Sequence, residues 1–117
     1  MNYIDKVARF IGKHCGMDAS KPEDLRLLRI YAVLALTIGE ETTEKHVHDA
    51  WSAWCCGLEV KASEHRSLIP FEELPREIQI LDEPYAVAIR LAAWQLGLKS
   101  TVSDQSPTDR YYPSSDS

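Results

Sequence analysis

Residues Ile30 to Leu36 read Ile-Tyr-Ala-Val-Leu-Ala-Leu, and this run constrains the chain more than any other feature. It is far shorter than the ~20 apolar residues that cross a bilayer. It follows a helix start: Pro22 suits a first helical turn, and Glu23 and Asp24 favour the positive end of the helix dipole. Ser20 is the expected N-cap, and Gly39 closes a helix of about 22–38. A helix that is apolar on every face has no side to offer water. The run therefore predicts a central helix surrounded by others.

The neighbours can be read from the same periodicity. Ile4, Val7, Ala8 and Ile11 share one face of a first helix over about 2–15, ended by Gly16. Thr42 or Thr43 caps a third helix that runs to about Cys56 and stops at Gly57, with Val47, Ala50, Trp51 and Trp54 facing inward. A polar loop covers 57–66. The stretch from Ser67 to Pro75 carries prolines toward both ends and predicts an ordered turn with one short helical turn inside it. The last helix starts near Arg76 or afresh at Pro84, and ends at Gly97. The fold class is all-α: a compact bundle of four to five helices, with a short turn-helix at 67–75 and a polar C-terminal tail. The helical domain spans 1–98. Residues 99–117 hold only Val102, Tyr111 and Tyr112 as sizeable apolar side chains. Ordering costs about 1–2 kcal/mol of backbone entropy per residue, which predicts a flexible tail.

The last helix has more apolar surface than one face can hide. Tyr85, Ala88, Ile89, Ala92 and Leu96 form one stripe; Val87, Leu91, Trp94 and Leu98 form another on nearly the opposite side. The first suits the core. The second predicts a partner interface: Val87, Leu91, Trp94 and Leu98, joined by Trp54. Each tryptophan buries up to about 250 Å², an upper bound of roughly 6 kcal/mol at about 25 cal/mol per Å². Trp51 is assigned to the core, and Trp54 and Trp94 are the two whose faces can meet a partner.

Charge narrows the partners. The net charge is −5, with a balance of +2 over residues 1–36 and −7 over 37–84. An acidic middle repels phosphate, and no basic stripe interleaved with aromatics exists, so direct nucleic-acid binding is not expected. Asp5 within MNYIDKVARF breaks the basic-then-apolar order of a signal peptide, and the three cysteines, Cys15, Cys55 and Cys56, make a poor disulfide framework. A reduced, cytoplasmic protein with no membrane partner is expected.

Catalytic and metal chemistry find little support. His46, His48, Cys55, Cys56 and His65, with His14 and Cys15 in reserve, lack the paired short spacings of a structural zinc site. A Cys–His hydrolase built from Cys55 or Cys56 with His48 or His65 lacks an oxyanion-hole motif and an orienting third group. No glycine-rich phosphate cradle is present. No catalytic residue, metal or cofactor is assigned.

Two segments carry a resemblance. Val47-His48-Asp49-Ala50-Trp51, then His65-Arg66-Ser67-Leu68-Ile69-Pro70-Phe71-Glu72-Glu73-Leu74-Pro75, then Asp82, resemble the small repeat domain of ryanodine receptors over about residues 43–92. That family pairs a His-x-x-Trp helix with a His-Pro-x-Leu-x-Pro-Tyr-x-x-Leu segment and a helix bearing an Asp. His65-Arg66 replaces its His-Pro, and its intervening Gly-Trp-x-Tyr-Gly stretch is missing here. The chain is also similar to small proteins of actinobacteria and their phages, which implies work in a host cytoplasm if phage-encoded. The resemblance implies a small-ligand site at His48, Trp51, His65, Pro70 and Phe71. Read without it, Pro70 fixes a turn that Phe71 and Leu74 plug into the core while His48 and His65 tie it down.

The leading expectation is a non-enzymatic binding or assembly module that recognises a protein partner or a copy of itself through the last helix. The alternative is a sensor of a nucleotide-like small ligand. A weaker one is an acidic inhibitor that mimics nucleic acid with residues 40–83.

Overall fold

Two side-chain caps and two prolines set where the helices begin in the computed structural model, which describes residues 1–57 and 66–98. Asn2 accepts the Asp5 amide at 2.7 Å and starts α1, Tyr3–Cys15, which stops where Gly16 takes a left-handed turn at φ 81°. Helix α2, Pro22–Thr37, opens on Pro22, but Ser20 is not its cap. Both the Ser20 amide and hydroxyl donate to Asp18 Oδ1, at 2.9 and 2.6 Å, and Lys21 takes the cap position with no side-chain bond. The nearby carboxylate is the stronger acceptor and draws the serine into a local turn.

A 3-10 turn over Gly39–Glu41 leads to α3, Glu44–Cys56. Thr43 caps it: its hydroxyl accepts the His46 amide at 3.4 Å, and His46 Nδ1 accepts the Thr43 amide at 2.9 Å. This is a reciprocal capping box with histidine in place of the usual Glu or Gln. A 3-10 turn at Phe71–Glu73 matches the helical turn expected between the prolines. It is followed by the one-turn α4, Arg76–Gln79, a 3-10 turn at Ile80–Asp82, and α5, Glu83–Gln95. Both expected starts of the last helix are therefore used, by separate helices. Helix α5 ends two residues before Gly97, whose φ of 68° turns the chain so that the Leu98 amide reaches the Ala93 carbonyl at 2.8 Å.

The result is an all-α bundle with no strand among the described residues. None of the described helices is long and apolar enough to cross a membrane. Helix α2 packs on α1, α3 and α5, and α5 packs on α1, α2 and α3. The inner face of α5 is Ala86, Ala88, Ile89, Ala92 and Ala93, all buried. Small side chains there let neighbouring helices approach closely. Gly12 plays the same part between α1 and α2, where an added Cβ would sit 2.8 Å from Leu28 Cδ1. Arg29 of α2 grips Asp5 of α1 with two hydrogen bonds, at 2.7 and 3.1 Å.

One expectation about the central run fails. Tyr31, Ala32 and Ala35 are buried, but Val33 is 47% exposed. A bundle of this size cannot enclose one of its own helices on every side, so the outer edge of α2 stays wet. His65 and the expected tail, residues 99–117, lie outside the described residues.

Candidate functional site

Two places gather the sequence-predicted site residues. The first is the outer face of α5. Val87 is 47% exposed and Trp94 63% exposed, with Leu91 half-buried between them. These three fall at i, i+4 and i+7, one stripe of a helix. The opposite stripe, Ala88, Ile89 and Ala92, is in the core. Leu98, expected on the outer stripe, lies past the helix end and is half-buried against the core. The left-handed Gly97 redirects the chain, so helical spacing no longer applies beyond Gln95. Trp54 also leaves this group. It belongs to α3, packs against the core edge, and donates its indole N–H to the Glu23 carbonyl at 3.2 Å.

The second place is a cleft of ≈ 590 Å³ at the meeting of α2, α3 and the segment leading into α5. Leu27 and the buried Tyr31 line it from α2, and His48, Trp51 and Trp54 from α3. Ile78, Leu81, Asp82 and Tyr85 complete the far side, with Asp24, Met17 and Ser67 also in its wall. The α3 residues follow helical spacing: positions 48, 51 and 54 recur every three residues and drift slowly around one face. Tyr31 and Tyr85 stand with ring centroids 5.9 Å apart.

His48 is only 3% exposed, and its Nε2 donates to the Ile69 carbonyl at 2.7 Å. It therefore ties the proline turn to α3, as expected of His48 when the segment is read without the resemblance. Trp51 stacks on its imidazole at 5.8 Å, and the Phe71 ring lies 6.0 Å from it. Leu74 is buried, Pro70 is exposed, and Gln79 Nε2 holds the Phe71 carbonyl at 2.9 Å. Of the five expected ligand residues, His48 and Trp51 line the cleft. Phe71 supports His48 from the side, Pro70 faces solvent, and His65 lies outside the described residues.

The electrostatics of the cleft centre on Asp82, which sequence reasoning named only as part of the ryanodine-type pattern. Burial pushes its carboxyl up to about 6, against the opposing pull of the His48 imidazole. Asp82 occupies the N-cap position of α5, where a carboxylate ordinarily turns back to accept amide protons, yet it makes no cap hydrogen bond. The reason is local: its backbone is helical, φ −83° and ψ −10°, because the 3-10 turn runs straight into α5. Capping needs the extended conformation. Burial also raises the phenols of Tyr31 and Tyr85, which stay neutral donors. The sequence signal for this wall was the Asp82/Tyr85 spacing of three, legible only once Ile80–Asp82 is known to be helical.

No cluster of three or more metal-ligating side chains occurs among the described residues. Cys55 is buried, Cys15 half-buried and Cys56 exposed, all as free thiols, and burial raises both Cys15 and Cys55. Raised thiols are poor nucleophiles at neutral pH.

A family model described as a domain of unknown function, DUF7701, matches residues 2–94, and the chain belongs to that family. Comparison with curated proteins and with solved structures returns no match.

Proposed function

We propose, from a family whose description carries no activity, that the chain is a non-enzymatic assembly module whose contact surface is the outer face of α5. A second copy of the chain is the occupant. The observation that carries this reading is the exposure of Trp94, 63%, on a stripe it shares with Val87 and Leu91. The 4,3 spacing of those residues is that of a coiled-coil seam. In an antiparallel pair Leu91 lies near the two-fold axis, and the small Val87 of one copy faces the large Trp94 of the other, as a self-complementary interface requires. The exposed part of a tryptophan of up to about 250 Å² is roughly 160 Å², worth at most about 4 kcal/mol per copy when covered. Light scattering coupled to size exclusion at micromolar concentration tests it. A dimer that Trp94→Glu converts to monomer supports the reading, and a strict monomer removes it.

The cleft favours a second reading, a small-ligand sensor. Its ≈ 590 Å³ falls in the size range of ligand sites, about 300–1,000 Å³. The resemblance of the 43–92 stretch to the ryanodine-receptor repeat supports it, since His48, Trp51 and Asp82 of that pattern meet at this wall. A thermal shift with any small molecule of a mixed panel tests the sensor reading.

A further inference from the structure

Resting on the second reading, we infer that the cleft takes an organic cation, a protonated amine or quaternary ammonium on an apolar body, with Asp82 as its counter-ion and the surrounding rings as its walls. Three observations carry this beyond a generic pocket.

First, the wall is aromatic. Trp51, Trp54 and Tyr85, all half-buried, border one cleft, with the buried Tyr31 behind Tyr85. Ring faces carry negative charge density, so a cation within about 6 Å of a ring centroid is attracted, most strongly by tryptophan. Such walls bind ammonium groups while giving a strongly hydrated metal ion little to coordinate.

Second, the Asp, Glu, Lys and Arg side chains in the wall are all acidic. The ionisable carboxylates in the wall are Asp24 and Asp82, and no lysine or arginine is among the described lining residues. A nucleotide phosphate would meet like charge there and no guanidinium to pair with. Asp24 is partly engaged, accepting the Asp18 amide at 3.1 Å. His48 lies in the same wall and attracts the Asp82 carboxylate, but its Nε2 is committed to the Ile69 carbonyl at 2.7 Å.

Third, the helical backbone at Asp82 keeps its carboxylate from capping α5 and leaves it in the cleft wall. Its only favourable electrostatic neighbour among the described residues is the His48 imidazole, with Glu44 opposing, and no described side chain donates a hydrogen bond to it. An ionised, half-buried carboxylate without donors is costly to keep. A ligand cation supplies the missing donor and removes the cost, so affinity should depend on charge more than on shape.

The test uses the full chain and three probes: 2-phenylethylamine, its neutral isostere 2-phenylethanol, and AMP. Binding is followed by the indole N–H resonances of the tryptophans in a nitrogen-15 spectrum. The amine should bind at least tenfold tighter than the alcohol at neutral pH, with shifts at Trp51 and Trp54 and none at Trp94. Asp82→Asn should reduce the amine to the affinity of the alcohol while leaving the alcohol unchanged. Asp82→Ser serves as a second variant should the asparagine fail to fold. Equal binding of amine and alcohol overturns the cation inference and leaves a ligand cleft. AMP binding tighter than the amine overturns it in favour of a nucleotide. Failure of all three probes to bind overturns the cation inference, and the sensor reading falls with it only if no member of the mixed panel raises the melting temperature.

Discussion

Replacing Asp82 by asparagine should stabilise the protein, and the size and pH window of the effect follow from the structure. Asp82 is held at about 6 by burial, against about 3.9 for an aspartate in an unfolded chain. Below about pH 4 both states are protonated and the group contributes nothing. Between about 4 and 6 the unfolded chain releases the proton while the folded one retains it, so stability falls as pH rises through that window. Above about 6 the loss is complete and constant. A two-unit difference has a ceiling of about 3 kcal/mol, and because the carboxylate is half in solvent, screening reduces this to about 1–2 kcal/mol. The asparagine side chain has nearly the same shape and no charge to desolvate. The variant should therefore gain about 1–2 kcal/mol over the parent at pH 7.5, visible as a rise in Tm of several degrees at about 4–8 °C per kcal/mol. The gain should vanish toward pH 4. Asp5 and Asp18, both lowered, the first mainly by Arg29 and the second by Ser20, have the opposite pH slope, but they are common to both proteins and cancel in the difference. Urea denaturation followed by circular dichroism at pH 4, 5, 6 and 7.5 gives the comparison. A variant that is less stable than the parent at pH 7.5, or whose gain is independent of pH, refutes the account of Asp82 as a strained carboxylate.

Other substitutions probe the frame around the two sites. Gly12→Ala should destabilise by about 1–3 kcal/mol in urea despite alanine's better helix propensity, because its Cβ would meet Leu28 Cδ1 at 2.8 Å and the Met17 carbonyl at 3.1 Å. A Gly12→Ala protein as stable as the parent would mean that α1 and α2 can part freely. His48→Ala leaves the Ile69 carbonyl without its 2.7 Å donor and should cost about 1–3 kcal/mol, with hydrogen exchange rising first in residues 67–74. Arg90→Met removes the 2.8 Å bond to the Thr42 carbonyl that joins α5 to the start of α3, and a loss of about 1–3 kcal/mol by thermal melting is expected. Trp94→Ala should leave monomer stability within about 0.5 kcal/mol, as expected for an exposed side chain, and a large loss would show that the indole is structural.

What the sequence settled by itself is local. Pro22, Gly16 and Gly57 mark helix ends through local rules that need no neighbours, and the cap of α3 was narrowed to Thr42 or Thr43, of which the structure uses Thr43. The two stripes of α5 follow from its 3.6-residue period, and Ala88, Ile89 and Ala92 are indeed buried while Val87 and Trp94 are not. Where a local rule had a competitor within a few residues, the sequence could not choose. Asp18 took Ser20 away from its cap, and Gly97 turned Leu98 off its stripe. The cleft belongs wholly to the tertiary structure. Tyr31, placed in the core by the apolar run, and Tyr85, placed there by periodicity, come to the same wall as Trp54, assigned to a partner, and Asp82, read only as part of a pattern. Tyr31 and Tyr85 are 54 positions apart in the chain, and no periodicity relates side chains on different helices. Their meeting depends on how α2, α3 and α5 cross, which is set by the small residues that let the helices touch.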